Sequence, residues 1–264
     1  MKYTFLLLSF LLSLFVNLSF CQHAGKATTA QAKLEKEFIN KGEQLAQNSL
    51  PVVKCVDFTI TGKGSNSEWE KAGWNKLTKL DTGGTAYESK FKIMYSSKGI
   101  YLLFSGADNK ITTKPYQDYE NIFNGDVFEV FFHPDVKVPV YFEYEVNQLN
   151  KELILTLSKT AGGLFSWAPR GYRNDNDRAI KKMVNVVGDR IEVNGSITFW
   201  SAEIFFPYGI LGLLPGVPPA SGTTWNANFC RLDYDSGNMI KWSWSPTIQS
   251  SFHELDKFLS ITFK

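Results

Sequence analysis

The stretch 124–135, Asn-Gly-Asp-Val-Phe-Glu-Val-Phe-Phe-His-Pro-Asp, decides the fold that this sequence predicts. A turn dipeptide, Asn124-Gly125, opens it, and His133 and Pro134 close it, leaving about eight residues of β-branched and aromatic character. Successive side chains point to opposite faces of a strand, and both faces are mostly apolar here. One face carries Phe128, Val130 and Phe132, and the other carries Val127, Glu129 and Phe131. The pattern predicts a strand in the interior of a sheet, covered on both sides.

Glu129 puts a carboxylate inside this apolar strand. Burying a carboxylate without a partner costs several kcal/mol, so a cation, hydrogen-bond donors, a ligand or water should face it. Arg231 lies in a later predicted strand, and its guanidinium could neutralise the carboxylate through charge-assisted hydrogen bonds. We therefore predict that Glu129 and Arg231 form a structural polar pair.

From residue 51 onward, short strands alternate with turn residues, which is typical of an all-β fold. We predict an antiparallel β-sandwich of two sheets, with jelly-roll or immunoglobulin-like architecture. Residues 140–147 alternate cleanly, and their polar row would share a face with Glu129 if the two strands pair. That polar row contains Glu143, Glu145 and Asn147.

Two predicted loops carry aromatic side chains, and long loops between strands are where binding sites tend to lie. The first loop, residues 111–123, carries Tyr116, Tyr119 and Phe123. The second begins at Gly162-Gly163 and carries Trp167 and Arg170.

Residues 1–21 resemble a secretory signal peptide, with a positive charge at Lys2, an apolar run and cleavage after Cys21. A lipid anchor on Cys21 is the alternative, but Phe20 is bulky where such signals have a small residue. Residues 22–50 predict a linker or short helical lead that Pro51 ends. No later segment approaches the ~20 apolar residues of a membrane span. We expect an extracytoplasmic protein, periplasmic or secreted, with residues 51–264 as its sandwich domain.

The charges nearly balance, with 28 basic and 26 acidic residues, so nothing points to nucleic acid or an anionic membrane as partner. We expect a monomer. Cys55 and Cys230 lie in predicted strands, and an oxidising compartment would permit a disulfide between them. Two small buried hydrophobic side chains are an equally good interpretation.

Enzyme chemistry is not indicated. The sequence has no Gly-x-Ser-x-Gly elbow, no His-Glu-x-x-His and no phosphate-binding glycine loop. A glycoside hydrolase needs two carboxylates on opposite sides of a cleft. Glu143 and Glu145 are two residues apart on one strand, ~6.5–7 Å along it, so they lie side by side. The prediction is that the protein is not an enzyme.

A set of motifs recurs in a recognisable order along residues 51–264. They are Trp69 with Ala72 and Trp74, Lys-Gly-Ile-Tyr-Leu-Leu-Phe at 98–104, the opening stretch, Tyr-Phe-Glu-Tyr-Glu-Val-Asn at 141–147, Trp-Ser-Ala-Glu-Ile-Phe-Phe-Pro at 200–207, Trp-Asn-Ala-Asn-Phe-Cys-Arg at 225–231, Ser-Trp-Ser-Pro at 243–246 and Phe252-His253. Together they resemble the carbohydrate-binding module family 9 pattern, a DOMON-like sandwich. The resemblance implies binding of a mono- or oligosaccharide, structural calcium in many members, and two aromatic side chains that clamp a terminal sugar.

The two clamp positions correspond to Phe123 and Phe252. Family 9 clamps are tryptophans, and phenylalanine offers a smaller face and no N–H, so weaker stacking is expected. A family arginine that hydrogen-bonds sugar hydroxyls corresponds to Glu145. The full candidate set is Phe123, Phe252 and Trp167 for stacking, and Tyr116, Tyr119, Arg170, Glu143 and Asn147 for the rim. Possible calcium ligands are Asp81, Asp108 and Asp126, on family analogy alone.

The sequence therefore predicts a secreted, non-catalytic carbohydrate-binding protein that acts in polysaccharide uptake or breakdown. One alternative is a cell-surface interaction module whose sugar pocket has decayed. Another is a sandwich that binds b-type haem, non-covalently because no Cys-x-x-Cys-His is present. Its ligands would be Met94, Met183 or Met239 with His133 or His253.

Overall fold

The computed structural model describes residues 49–160, 163–171, 177–246 and 251–264, and Ser49–Lys264 form one compact unit. The predicted signal peptide and nearly all of the predicted lead lie outside the described residues. The strands are β1 (Leu50–Lys54), β2 (Asn75–Lys76), β3 (Thr78–Lys79), β4 (Ser89–Tyr95), β5 (Gly99–Ala107), β6 (Val127–His133), β7 (Val140–Asn147), β8 (Glu152–Thr160), β9 (Gly163–Pro169), β10 (Lys181–Gly188), β11 (Ile197–Pro207), β12 (Thr224–Asp233), β13 (Ile240–Ser243) and β14 (Leu259–Phe263). One short helix, α1 (Tyr208–Leu211), and 3₁₀ turns at Ser67–Lys71, Ile122–Asn124 and Leu255–Lys257 complete the described elements.

The strands form two sheets, which confirms the predicted all-β sandwich. Sheet A has the order β14-β12-β6-β7-β8-β9, with β13 and β3 continuing from β12, and sheet B has the order β10-β11-β5-β4, with β2 beside β4. These pairings are antiparallel. β1 is the exception, because its first half pairs parallel with β14 and its second half pairs parallel with β4. The two sheets are thus joined through one strand.

The main core fills the space between the sheets. Phe128 on β6 stacks on Phe104 of β5 with ring centroids 4.6 Å apart, and on Trp200 of β11 at 4.1 Å. All three side chains are completely buried. Burying a side chain of this size contributes roughly 1.5–3 kcal/mol, and stacked pairs add about 0.5–1.5 kcal/mol. Because these contacts cross from one sheet to the other, they hold the sandwich together.

The outer face of sheet A has a second apolar layer. Phe131 packs against Phe252 with ring centroids 6.4 Å apart and against Phe258 at 5.8 Å, and Val127 and Tyr141 lie in the same cluster. β6 is therefore buried on both faces, as the opening stretch predicts. The side chain of Glu129 lies on this outer face, between Val127 and Phe131.

The predicted pair between Glu129 and Arg231 is wrong. In the register between β6 and β12, Cys230 lies opposite Glu129 and Arg231 lies opposite Phe128, so the two charged side chains point to opposite faces of sheet A. Arg231 instead forms ion pairs with Asp108 at 3.1 Å and Asp233 at 2.6 Å in the interior. A shift of one residue in register is enough to make this difference.

Three further features bear on the sequence predictions. Gly163 opens β9 where the sequence predicted a loop, because this segment pairs antiparallel with β8. Cys55 and Cys230 are both free and buried in different apolar clusters, so they form no disulfide with each other. Within the described ranges, no helix has the length and hydropathy of a membrane span.

Candidate functional site

A pocket of about 370 Å³ lies against the outer face of sheet A, a volume within the range of about 300–1,000 Å³ common for small-molecule sites. Its floor is formed by side chains on three neighbouring strands, which are Glu129 from β6, Glu143 and Glu145 from β7, and Leu153, Leu155 and Leu157 from β8. The walls come from Asn121, Phe123, Leu232, Met239, Lys241, Ser251, Phe252 and His253. The pocket is thus outside the main core, on the face that carries the second apolar layer.

Both aromatic positions implied by the resemblance, Phe123 and Phe252, line this pocket. Phe123 lies in the 3₁₀ turn before β6, and its carbonyl accepts a hydrogen bond from the Tyr234 hydroxyl at 2.8 Å. Phe252 is buried and has its ring edge against Phe131. The two rings come from different loops, which sheet A brings together.

Three carboxyl groups lie together on the pocket floor. Glu129 and Glu145 lie directly opposite one another on β6 and β7, and Glu143 lies on the same face two residues along β7. The exposed fractions of Glu129, Glu143 and Glu145 are 3%, 5% and 1%. Among the described residues, Oε2 of Glu143 and Oε2 of Glu145 have no hydrogen-bond partner. The floor therefore offers polar atoms that the described protein does not satisfy.

The surroundings shift the ionisation of these carboxyl groups. Burial raises the pKa of Glu143 to about 7, opposed by a hydrogen bond to Glu145. Burial first, and then repulsion by neighbouring carboxylates, raises the pKa of Glu129 and of Glu145 well above the usual range. At neutral pH the three groups hold protons among them, and a protonated carboxyl can both donate and accept hydrogen bonds.

His253 stands at the edge of the pocket. Its Nδ1 lies 2.8 Å from the Tyr141 hydroxyl and 4.0 Å from Oε2 of Glu143. Burial, and then the Lys159 ammonium, lower the pKa of His253 to about 4. The ring is therefore neutral at pH 7, with one donor and one acceptor nitrogen.

The structure places Tyr116, Tyr119, Asn147 and Arg170 outside the pocket lining. Tyr116 packs beside the outer apolar layer, and Tyr119 packs against the main core. Asn147 shapes the turn between β7 and β8, because its side-chain oxygen accepts the N–H groups of the residues two and four positions later. Arg170 donates from Nε to the carbonyl of Ile210 and borders a separate depression. Trp167 lies on β9 opposite Leu157, and its side chain is outside the described part of the structure.

Sequence reasoning missed several wall and floor residues. Leu153, Leu155 and Leu157 occupy every second position of β8, so they lie on one face of that strand. This alternation, directly after the polar row of β7, is a sequence signal that could have placed the leucines on the same face of the sheet as Glu143 and Glu145. Lys241 reaches the pocket from β13, and its ammonium lies 3.2 Å from Asp81. Nothing local in the sequence marks that contact, because β13 reaches sheet A only through its pairing with β12.

A separate acidic group lies at one end of the main core. Asp108, Asp126, Asp233 and Asp235 each offer an oxygen atom, and these atoms all lie within 4.8 Å of one another. Two of the predicted calcium ligands, Asp108 and Asp126, belong to this group. Asp81 is outside it and pairs with Lys241 instead, which corrects its assignment.

The acidic group fits a hard cation. It is composed of oxygen ligands, which Ca²⁺ prefers. Among the described residues, Arg231 is the guanidinium that pairs with it, so four acidic groups face one cation there. Gln148 donates from Nε2 to Asp108 at 3.2 Å and to Asp126 at 2.9 Å. Its buried Oε1 has no hydrogen-bond partner among the described residues. Burial, and then repulsion by Asp233, raise the pKa of Asp126 to about 8.

The haem-ligand candidates are mostly dispersed. Met94 is buried in the outer layer of sheet B, Met183 is exposed on β10, and His133 is bonded through Nε2 to the carbonyl of Val138. Met239 and His253 do line the same pocket on sheet A.

The two packed sheets and the pocket on the outer face of one of them define a β-sandwich module with a small-molecule pocket. No family model and no curated protein matches the sequence. A solved structure of a Bacteroides uniformis protein to which carbohydrate binding is ascribed is similar, with a TM-score of 0.66, 17% identity, and coverage of 82% of this chain and 99% of that one.

Two structures of a carbohydrate-binding module family 9 domain from Caldicellulosiruptor kristjanssonii are also similar. The complex with cellotriose has a TM-score of 0.55 and 15% identity, and covers 82% of this chain and 93% of that one. The complex with glucose has a TM-score of 0.54 and 14% identity, and covers 81% of this chain and 95% of that one. The fold is thus that of family 9 modules, as the resemblance implied.

Proposed function

We propose that this protein is a secreted, non-catalytic carbohydrate-binding protein whose pocket on sheet A takes a mono- or oligosaccharide. One observation carries the proposal: Phe123 and Phe252, from two separate loops, line the same pocket as three carboxyl groups. The similar structures, two of which hold glucose or cellotriose, support it through a shared fold.

Sugar rings have an apolar C–H face and a polar edge of hydroxyl groups. The rings of Phe123 and Phe252 can pack against the C–H face, with the leucines of β8 extending the apolar surface. Glu143 and Glu145 line the pocket, and their carboxyl groups can accept hydrogen bonds from hydroxyl groups at the edge. The pocket thus matches both parts of the ligand.

The arrangement of the carboxyl groups favours binding over hydrolysis. Glycoside hydrolases place two carboxyl groups on either side of the scissile bond, about 5–10 Å apart. Glu129, Glu143 and Glu145 project from one face of sheet A as neighbours, so a sugar would lie over all three and not between two of them. A role in polysaccharide uptake or breakdown would then depend on separate enzymes.

Isothermal titration calorimetry tests the proposal with glucose, cellotriose and a panel of other mono- and oligosaccharides. Phe123→Leu and Phe252→Leu keep an apolar side chain but remove the flat ring, and each should weaken binding at least about tenfold, or roughly 1.4 kcal/mol. Phe258→Leu is the matched control, because Phe258 lies in the same apolar layer but does not line the pocket. Absence of heat with every sugar would reject the proposal in favour of an interaction module.

The haem alternative has one supporting observation, the shared position of Met239 and His253. Titration with haemin, followed by absorbance, separates the two functions. We expect no Soret band that depends on His253. A band that disappears in His253→Ala would replace the sugar-binding proposal.

We also propose that Asp108, Asp126, Asp233 and Asp235 bind a calcium ion that offsets their mutual repulsion. A ligand at 100 times its dissociation constant stabilises a fold by about 2.7 kcal/mol, so added Ca²⁺ should raise the melting temperature. Asp126→Asn should abolish that rise, and Asp81→Asn, outside the acidic group, should retain it. No change with millimolar Ca²⁺ in the wild type would contradict the proposal.

A further inference from the structure

Acidic groups outnumber basic groups in the described lining of the pocket on sheet A. Three carboxyl groups form part of its floor. Among the described residues that line it, Lys241 is the only lysine or arginine. The ammonium of Lys241 already pairs with Asp81 at 3.2 Å. Neutral His253 adds no positive charge. The described part of the chain therefore gathers three acidic groups in this pocket and supplies one lysine, which already has an acidic partner.

Two oxygen atoms of these groups are buried and have no hydrogen-bond partner among the residues that the structure describes. They are Oε2 of Glu143 and Oε2 of Glu145, on side chains that are 5% and 1% exposed and that line the pocket. A buried acceptor without a donor costs about 1–3 kcal/mol, and more when it is charged. A ligand that brings donors and positive charge to this point would recover that cost.

An ammonium group meets this requirement better than a hydroxyl group does. A hydroxyl donates one hydrogen bond, whereas an ammonium donates three and carries a positive charge. Its three donors suit two neighbouring carboxyl groups that lie on one strand face, with a third, Glu129, directly across from Glu145.

We propose that the pocket selects sugars with a free amino group, and that their ammonium group binds to the carboxyl groups of Glu143 and Glu145 on the pocket floor. This inference rests on the proposed sugar-binding function and specifies its ligand class. The sugar ring then packs against Phe123 and Phe252, and the leucines of β8 lie beneath its apolar side.

Binding of such a cation should release protons. The carboxyl groups hold protons near neutral pH, and a bound ammonium favours their ionised forms. The other titratable or charged groups that face them are Tyr141, Cys230, Tyr234, Lys241 and His253, with Lys159 beyond His253. Burial raises the pKa of Tyr141, Cys230 and Tyr234, so these groups stay protonated at pH 7.

Calorimetry with three matched ligands tests the selection. The ligands are glucose, glucosamine and N-acetylglucosamine, repeated with the galactose and mannose series, at about pH 6, where an amino group is charged. We expect an amino sugar to bind at least tenfold more tightly than its hydroxyl and acetamide counterparts. Measurements in two buffers of different ionisation enthalpy should show net proton release for the amino sugar alone.

Glu145→Gln should remove the preference, so that the amino sugar and its neutral counterpart bind the variant with affinities within about threefold of each other. Glu192→Gln, an exposed glutamate paired with Arg190, is the control and should keep the preference. The proton release is measured on the wild type, so that part of the test does not depend on any variant folding.

Each outcome decides between the two proposals. Equal affinity for amino and neutral sugars, or tightest binding of the acetamide, overturns this inference and leaves the sugar-binding function intact. Absence of binding by every sugar, charged and neutral, overturns both.

Discussion

Replacing Glu143 by glutamine should stabilise the protein, and more so as the pH rises. Burial raises the pKa of Glu143 from 4.5 to about 7 in the folded protein. Below pH 4.5, the ordinary pKa, the folded and unfolded chains both hold the proton, so this group adds no pH dependence. Between pH 4.5 and about 7, the unfolded chain releases its proton first, and unfolding becomes progressively more favourable. A raised carboxyl pKa therefore lowers stability as the pH increases.

The size of the effect follows from the same shift. Each unit of difference between the folded and unfolded pKa corresponds to about 1.4 kcal/mol, so this shift corresponds to roughly 3 kcal/mol above pH 7. Glutamine is nearly isosteric and carries no charge, so the variant should lack this contribution. It also removes the repulsion that Glu143 exerts on Glu129 and Glu145.

The measurement is the free energy of unfolding in urea, at a series of pH values from about 4 to 8. The difference between Glu143→Gln and wild type should be near zero at the acid end and rise to roughly 2–3 kcal/mol at the alkaline end. Buried acids that do not interact with Glu143, such as the group around Asp126, contribute equally to both proteins and cancel in this difference. Glu192→Gln is the control, and its free energy of unfolding should vary with pH as that of the wild type does. A difference that stays constant with pH, or falls as pH rises, would refute the reasoning.

Two further predictions concern the outer layer of sheet B and the thiols. Glu203 is completely buried and accepts four hydrogen bonds, among them those from the Trp69 indole at 2.7 Å and the Thr61 amide at 2.8 Å. Glu203→Gln turns an amide N–H₂ toward some of these donors. It should lower the free energy of unfolding, measured with denaturant, by about 2–4 kcal/mol. A decrease below about 1 kcal/mol would contradict this prediction. Burial raises the pKa of Cys55 to about 12 and that of Cys230 well above its usual range. Both thiols should react with a thiol-labelling reagent only when the protein unfolds. If they reacted in the folded protein as fast as in the unfolded chain, this prediction would be wrong.

The sequence predicted features that depend on the period of a strand. Alternation along β6 and β7 assigned Phe128 to one face and Glu129 to the other, and predicted that Glu143 and Glu145 share the face of Glu129. The assignments within each strand were correct because the backbone fixes a period of two. The shared face depended on the pairing of β6 with β7, which the structure shows.

Features that depend on contacts distant in sequence were not predictable. The partner of Arg231 follows from the register between β6 and β12, which no local pattern encodes. Asp233 and Asp235 meet Asp108 and Asp126 only after β12 has paired in sheet A. β9 was interpreted as a loop because of its glycines, yet pairing with β8 outweighs their low strand propensity. Tertiary contacts decided each of these cases.

The position of β1 has a mechanical consequence. β1 and β14 are parallel neighbours at the two ends of the described domain, and the Lys264 amide donates to the Val52 carbonyl at 2.9 Å. Tension applied between residues 49 and 264 would pull these strands past each other in opposite directions. Their hydrogen bonds would then bear the load together, as in shear, and would not open one after another. Since β1 also continues onto β4, the same strand would transmit that force to both sheets.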